Sequence, residues 1–243
     1  MEILLTNDDG YDAEGIRILF EKLKAYGNVT LVAPNDHKSG ASVSRIFWNQ
    51  ARVFEHEEGI ISVEGTPADA VAFALHGLNK DFDLIVSGVN NGHNLGADTV
   101  YSGTVGAAME ALKHKKKAVA FSTDYNHFDI VRNHFEAIFN YILEHNLLSD
   151  QYMLNVNFPN RDYSVVKDFR VTELGFRPVK HYYEKNGNHH YTSKREFLPF
   201  EFVEGTDIHA VRNGYVSLTP LQFTNRTEEG FNELKGKVPR NET

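Results

Sequence analysis

Met1-Glu-Ile-Leu-Leu-Thr-Asn-Asp-Asp-Gly10 begins with a short apolar run, Ile3-Leu4-Leu5, that stops at two adjacent carboxylates followed by a glycine. A run of this kind reads as the first strand of an open α/β sheet, and in such sheets ligands bind at the carboxyl ends of the strands. Asp8 and Asp9 placed side by side at that end repel each other unless a cation neutralises them. A divalent metal is therefore expected at the first strand–loop junction. A bare Asp-Asp-Gly is more often a solvated turn, and it is the remainder of the chain that reverses those odds.

Working outward, strand and helix signals alternate through the first half with short connections, the pattern of a parallel sheet covered by helices. Strands are expected at Ile3–Thr6, Val29–Ala33, Ile60–Val63, Leu84–Ser87, Ala118–Ser122 and Met153–Phe158, with a further strand-like patch at Ile46–Trp48. Asp12 is placed to cap a helix carrying Ile16, Leu19, Leu23 and Tyr26 at helical spacing and closed by Gly27. Thr66 and Pro67 open a second helix in the cap and first helical positions. Two more helices are expected over 104–112 and 128–147. Beyond Pro159 helical periodicity fades, and β signals follow at 169–174, 189–192 and 215–218. This predicts an α/β core over 1–160 and a β-rich extension over 161–243.

The chain has 243 residues, no Cys and a formal net charge of −8. Without Cys there are no disulfides, thiolate nucleophiles or sulfur-bound zinc. The acidic balance argues against a nucleic-acid polymer as partner, which calls for a basic surface. No apolar run approaches the length of a membrane span. Glu2 and the Asn7-Asp8-Asp9 cluster interrupt the N-terminus too early for a signal peptide, so nothing is expected to precede the fold and a cytoplasmic location is expected. The basic run from Lys113 to Lys117 reads as a solvated helix end, where cations suit the helix dipole.

Three of the predicted strands lead into loops rich in small oxygen donors: Asn7, Asp8 and Asp9; then Ser39, Ser42 and Ser44 around Gly40; then Asn90, Asn91 and Asn94, leading to Ser102-Gly103-Thr104. In a parallel sheet all three emerge at one edge and can converge. Carboxylate, hydroxyl and amide oxygens suit Mg²⁺ or Mn²⁺. His37 and His93 lie in the same loops and read individually as surface or supporting residues rather than ligands. Ser102-Gly103-Thr104-Val105-Gly106-Ala107-Ala108 enters a helix through small residues. Its free N–H groups suit a phosphate, and it serves equally as a plain Ser cap on a closely packed helix. It is not a Walker loop, and the Gly88–Gly92 segment lacks the dinucleotide fingerprint.

Taken in order, Asn7-Asp8-Asp9-Gly10, Ala33-Pro34 with Ser39-Gly40-Ala41-Ser42, Gly65-Thr66-Pro67-Ala68-Asp69, Val86-Ser87-Gly88-Val89-Asn90-x-Gly92-x-Asn94-x-Gly96 and Ser102-Gly103-Thr104-Val105 resemble the SurE family, stationary-phase survival proteins that act as 5′/3′-nucleotidases. Leu154-Asn-Val-Asn-Phe-Pro159, and Asp207-x-x-Ala210 through Gly214–Pro220, extend the similarity over nearly the whole chain. The resemblance implies a Rossmann-like core with a mainly parallel sheet and helices on both faces. It also implies a β-hairpin region exchanged between subunits of a homodimer or homotetramer. For activity it implies a metal-dependent phosphomonoesterase acting on nucleoside monophosphates and sometimes on short polyphosphate. Carried over by position, the ligands of one divalent cation fall on Asp8, Asp9, Ser39 and Asn90. Departures from the family pattern are few: Ala111 where Gly is common, Lys117 where Pro is common, and Asn91 where a basic or polar residue is frequent.

The expected chemistry is attack of a metal-activated water on phosphorus. Asp8 and Asp9 are the catalytic carboxylates, and Ser39, Gly40, Asn94, Ser102, Gly103 and Thr104 surround the phosphate. A covalent aspartyl-phosphate route fits less well, because adjacent aspartates in extended backbone point to opposite sides. From a different class, the alternative is a non-catalytic nucleotide-binding or sensing module of the same fold.

Overall fold

In a computed structural model that describes residues 1–46 and 50–222, strand pleating sets the layers. Ile3 and Leu5 of the first strand pack into one apolar cluster and Leu4 into another on the opposite face, as the two-residue period of a strand requires.

The elements run β1 (Glu2–Thr6), α1 (Glu14–Leu23), β2 (Asn28–Pro34), β3 (Val53–Glu57), β4 (Ile60–Val63), α2 (Pro67–Gly77) and β5 (Leu84–Asn91). A 3₁₀ turn (Gly96–Val100), α3 (Gly103–Lys113), β6 (Lys117–Thr123), α4 (Phe128–Glu144) and β7 (Met153–Asn157) follow. The remainder is β8 (Phe169–Val171), β9 (Val179–Lys185), β10 (Tyr191–Phe197), α5 (Asp207–Arg212) and β11 (Val216–Leu221). Among the described residues a nine-stranded sheet has the order β3-β4-β2-β1-β5-β6-β7-β11-β8. The six central strands pair in parallel. Residues of α1 and α4 fill one face, with Phe121, Phe135, Phe139 and Phe158 among the buried rings. The α2 and α3 alanines and Val71 and Val105 fill the other. The α/β, Rossmann-like expectation is borne out.

Chain order turns back at β1, which has β2 on one side and β5 on the other. Such a reversal opens a crevice beyond the carboxyl ends of the flanking strands. Asp8 and Asp9 follow β1, and Asn90 and Asn91 close β5, so the crevice falls between them.

Local signals read along the chain hold where the partners are close in sequence. Thr66 caps α2 in a reciprocal capping box with Asp69, and Pro67 occupies the first turn. Asp12 does not cap α1; Ala13 is the cap residue, with no side-chain bond, because the chain turns earlier through Ala13 N–H to the Gly10 carbonyl at 3.2 Å. The third expected helix matches α3 closely, and the fourth ends at Glu144 rather than 147. Of the strand-like patch at Ile46–Trp48, Phe47 and Trp48 lie outside the described residues.

The split expected at residue 160 needs correction. β11 pairs antiparallel with β7, and β8 joins it in parallel, so both belong to the core sheet. Among the described residues of the extension, only β9 and β10 form a separate two-stranded antiparallel sheet, with Tyr191 opposite Lys185 and Phe197 opposite Val179. That hairpin is exposed along nearly its whole length. Among the described residues, no helix is long and apolar enough to cross a membrane.

Candidate active site

The site is built on Asp8, whose side chain is 2% exposed at the end of β1. The Thr104 hydroxyl donates a hydrogen bond to Asp8 Oδ1. Burial pushes the Asp8 carboxyl up to about 6, with the Asp9 charge adding to the rise and the Thr104 hydroxyl and N–H opposing it. The second turn element is local: Asn7 Nδ2 donates to the Gly10 carbonyl at 2.8 Å and its Oδ1 accepts from Gly10 N–H at 3.2 Å. This clamp fixes the Asp8-Asp9 pair at the mouth of the crevice.

Glycine at 103 permits the contact that completes this corner. A Cβ there would lie 2.8 Å from Asp8 Cβ and 2.9 Å from Asp8 Oδ2. The first turn of α3 therefore rests directly on the carboxylate. Ser102 caps that helix by accepting from Val105 N–H at 3.1 Å, which leaves the Gly103 and Thr104 N–H groups at the helix terminus. Gly103→Ala is expected to push Asp8 out of place and lower kcat about 10- to 100-fold, the scale of ångström-level misplacement. Steady-state kinetics alongside a thermal melt separates this from unfolding.

The second loop docks by its backbone. Lys38 N–H donates to the Asp8 carbonyl at 2.7 Å, and Ala41 N–H closes a turn on the Lys38 carbonyl at 3.1 Å. Ser39 and Gly40 form the exposed tip of that turn, Gly40 having φ of +76°. At its far side the loop touches α3, where a Cβ on Gly106 would fall 2.0 Å from the Ser42 carbonyl. The small residues after Ser102 thus serve both purposes read from the sequence, a helix terminus at the site and a close-packed helix.

From the third loop, Asn91 N–H donates to Asp9 Oδ2 at 3.2 Å. The neighbouring Asn90 turns its Nδ2 onto the Gly92 carbonyl at 2.7 Å, so among the described residues its Oδ1 has no protein donor. His37 Nδ1 lies 3.2 Å from Asp9 Oδ1, closer than a bystander needs to be. His93 instead bonds the Phe158 carbonyl at 2.8 Å, and burial holds it below the usual histidine range; it is a neutral structural residue.

Asn94 has other partners. It is 6% exposed, its Nδ2 donates to Ser122 Oγ at 2.8 Å, and its N–H donates to Asn157 Oδ1 at 2.9 Å. Its carbonyl accepts from Asn155 and Asn157. These bonds hold the third loop onto the ends of β6 and β7 and do not bring Asn94 into contact with the carboxylate pair. The structure therefore brings Asp8, Gly103 and Thr104 together, seats Ser39 and Asn90 one residue and Gly40 two residues from backbone N–H groups that bond the pair, and places Ser102 behind them as the cap.

Two supporting carboxylates were not legible as such. Asp207, fully buried, accepts from the N–H groups of Gly96, Gly175 and Ile208 at 2.7–2.8 Å; burial raises its pKa against those three bonds. It ties the third loop to α5. Asp124 sits at the end of β6, where burial would raise its pKa but Arg161, through side chain and backbone, and Tyr125 N–H outweigh it and hold the carboxyl well below the usual range. A depressed folded pKa stabilises above the unfolded value near 4 and is lost as pH falls below it. Asp124→Asn is therefore expected to cost about 1–2 kcal/mol at neutral pH, with urea midpoints of the two proteins converging below pH 4.

A carboxylate pair at the turning point of the sheet, met by a helix terminus and two docked loops, is the geometry that the sequence motifs describe. The family model described as Survival protein SurE matches residues 3–181. The chain belongs to the SurE family. Among its relatives are the 5′-nucleotidase SurE proteins of Histophilus somni (strain 2336) and Mannheimia succiniciproducens, each 40% identical over 233 residues, covering 91% of this chain and 92% of the relative. That of Haemophilus influenzae (strain Rd) is 38% identical over 233 residues, covering 91% of both. The crystal structure of SurE from Aquifex aeolicus matches with a TM-score of 0.83 at 34% identity, covering 98% of this chain and 99% of that one. SurE membership extends across the core sheet and the hairpin alike.

Proposed function

We propose that this SurE-family chain is a 5′/3′-nucleotidase, a metal-dependent phosphomonoesterase that converts nucleoside monophosphates to nucleoside and phosphate. The observation that carries the proposal is the seating of the Asp8-Asp9 pair against the first turn of α3 through Thr104 and Gly103. The relatives above are named 5′-nucleotidases.

The donor set fits a hard divalent cation such as Mg²⁺ or Mn²⁺. Asp8 is buried, the Asp9 side chain is 16% exposed, and among the described residues no Lys or Arg forms an ion pair with either. Asp8, Asp9, Ser39 and Asn90 would hold the cation, offering oxygens only, as these ions prefer. Bound there, it supplies Lewis-acid polarisation of the phosphate and a lowered pKa for a coordinated water.

The residues of the chain do the rest. The Gly103 and Thr104 N–H groups at the α3 terminus donate to phosphate oxygens, with the helix dipole in favourable sense. Ser39 and Gly40 line the same space from the turn, Ser102 caps the helix that presents those N–H groups, and Asn94 fixes the loop that carries Asn90. Asp9, less buried than Asp8 and touched by His37, orients the attacking water and takes its proton. The exposed hairpin, with Tyr183 and Tyr191 on its surface, joins copies into a homodimer or homotetramer, and the enzyme works in the cytoplasm.

Purified protein incubated with a nucleoside monophosphate and Mn²⁺ is expected to release inorganic phosphate. Tight nucleotide binding with no phosphate release would replace the enzyme by a sensing module.

A further inference from the structure

The turn that carries Ser39 is braced at its ends and not at its tip. Around Gly40 the space is open, and a Cβ there would meet nothing within 4 Å. Where Ser39 sits relative to Asp8 is therefore set by the residues on either side. Before the tip, the Lys38 N–H fastens the chain to the Asp8 carbonyl. After it, Ser42 Oγ donates to the Val100 carbonyl at 2.7 Å, and the Thr66 hydroxyl donates to the Ser44 carbonyl at 2.6 Å. Ile46 N–H then donates to Asp69 Oδ1 at 2.9 Å.

Arg45 adds a charged side chain to these bonds. Its Nε donates to Asp69 Oδ1 at 3.1 Å and its Nη1 to Glu110 Oε1 at 2.6 Å. Both carboxylates are buried, at 7% and 5% exposure, so solvent ions screen these pairs little. Asp69 lies in the first turn of α2, and Glu110 lies on α3. One planar guanidinium can meet two carboxylates at once, which the single ammonium of Lys does not reproduce. α3 is also the helix whose first turn rests on Asp8 through Gly103 and Thr104. A ring of contacts thus closes. It runs from Ser39 along the chain to Arg45, across to Glu110, up α3 to Thr104 and Asp8, and back through the Lys38 N–H.

We infer that Arg45 is a positioning residue for the cation: by tying the end of the Ser39 loop to α2 and α3, it keeps the Ser39 hydroxyl and the Asp8 carboxylate in register for one ion. The inference rests on the proposal that Asp8, Asp9, Ser39 and Asn90 hold that ion. Arg45 acts through the loop and takes no part in the chemistry.

Arg45→Met removes the fork and keeps most of the side chain's length. The carboxylates left behind retain partners: Asp69 has the Thr66 and Ile46 N–H groups, and Glu110 has the His114 Nε2 at 3.1 Å. The variant is therefore expected to fold. Calorimetric titration with Mn²⁺, without substrate, is expected to give a Kd about 10- to 100-fold weaker than the parent's, the scale on which residues supporting a metal's ligands act. Amide exchange at Lys38, Ser42 and Ile46 is expected to rise at least about tenfold with β5 and β6 unchanged, the signature of a local opening. Should Arg45→Met not fold, Arg45→Lys carries the same measurements, its charge kept and its reach to both carboxylates lost. A lowered melting temperature with an unchanged Mn²⁺ Kd makes Arg45 a structural ion pair and overturns the inference, as does an unchanged Kd with an unchanged melt. If the parent protein binds no Mn²⁺, the cation reading itself fails, and faster exchange at those three amides in the variant still assigns the loop clamp to Arg45.

Discussion

Exhaustive chelation is expected to abolish phosphate release from nucleoside monophosphates, and Mn²⁺ or Mg²⁺ to restore it. The reason is electrostatic. Asp8 is 2% exposed and adjoins Asp9, and a phosphomonoester adds up to two further negative charges to the same crevice. Two unit charges about 4 Å apart repel by roughly 4 kcal/mol at the effective dielectric of a partly buried site. The Thr104 hydroxyl and the N–H groups of α3 supply partial charges only, and the basic side chain at the pair is His37, 3.2 Å from Asp9. A metal-free site therefore repels the substrate it is meant to hold. Phosphate production measured after dialysis against chelator, then after metal is added back, decides the matter; undiminished turnover without metal would remove the cation from the mechanism.

Asp9→Asn is expected to lower kcat/KM by about two or more orders of magnitude, the scale on which removal of one preorganised electrostatic group acts. The substitution keeps shape and an acceptor for the Asn91 N–H now bonded to Asp9 Oδ2, so the third loop stays docked while one negative charge is lost. Asp8 is the poorer choice, because its carboxylate also anchors Thr104 and supports the first turn of α3. Kinetics with saturating Mn²⁺, paired with a melting curve within a few degrees of the parent, isolates the charge. A variant retaining more than about a tenth of the parental rate would show that Asp9 is not a catalytic carboxylate.

The legible parts of this protein are those whose determinants lie within a few residues. Ile3-Leu4-Leu5 declares a strand buried on both faces, and Thr66-Pro67 announces the start of α2 because its capping partner Asp69 is three residues away. The oxygen-rich loops are visible as composition, and alternating strands and helices imply that they share one sheet edge. The exposed β3 strand, Val-Phe-Glu-His-Glu, escaped because an edge strand in solvent carries no burial pattern. The hairpin was only partly visible for the same reason, and α5 because six residues show too little periodicity.

Sequence alone thus determined the α/β class, the ordered motifs and the oxygen-rich composition of three loops, since each follows from short-range propensity and residue chemistry. Tertiary structure decided that Thr104 meets Asp8 across 96 positions, that β11 inserts between β7 and β8, and that Asp207 reaches back to Gly96. Those contacts depend on strand order and on how closely backbones approach at glycines, and both are set by the packing of distant segments against one another.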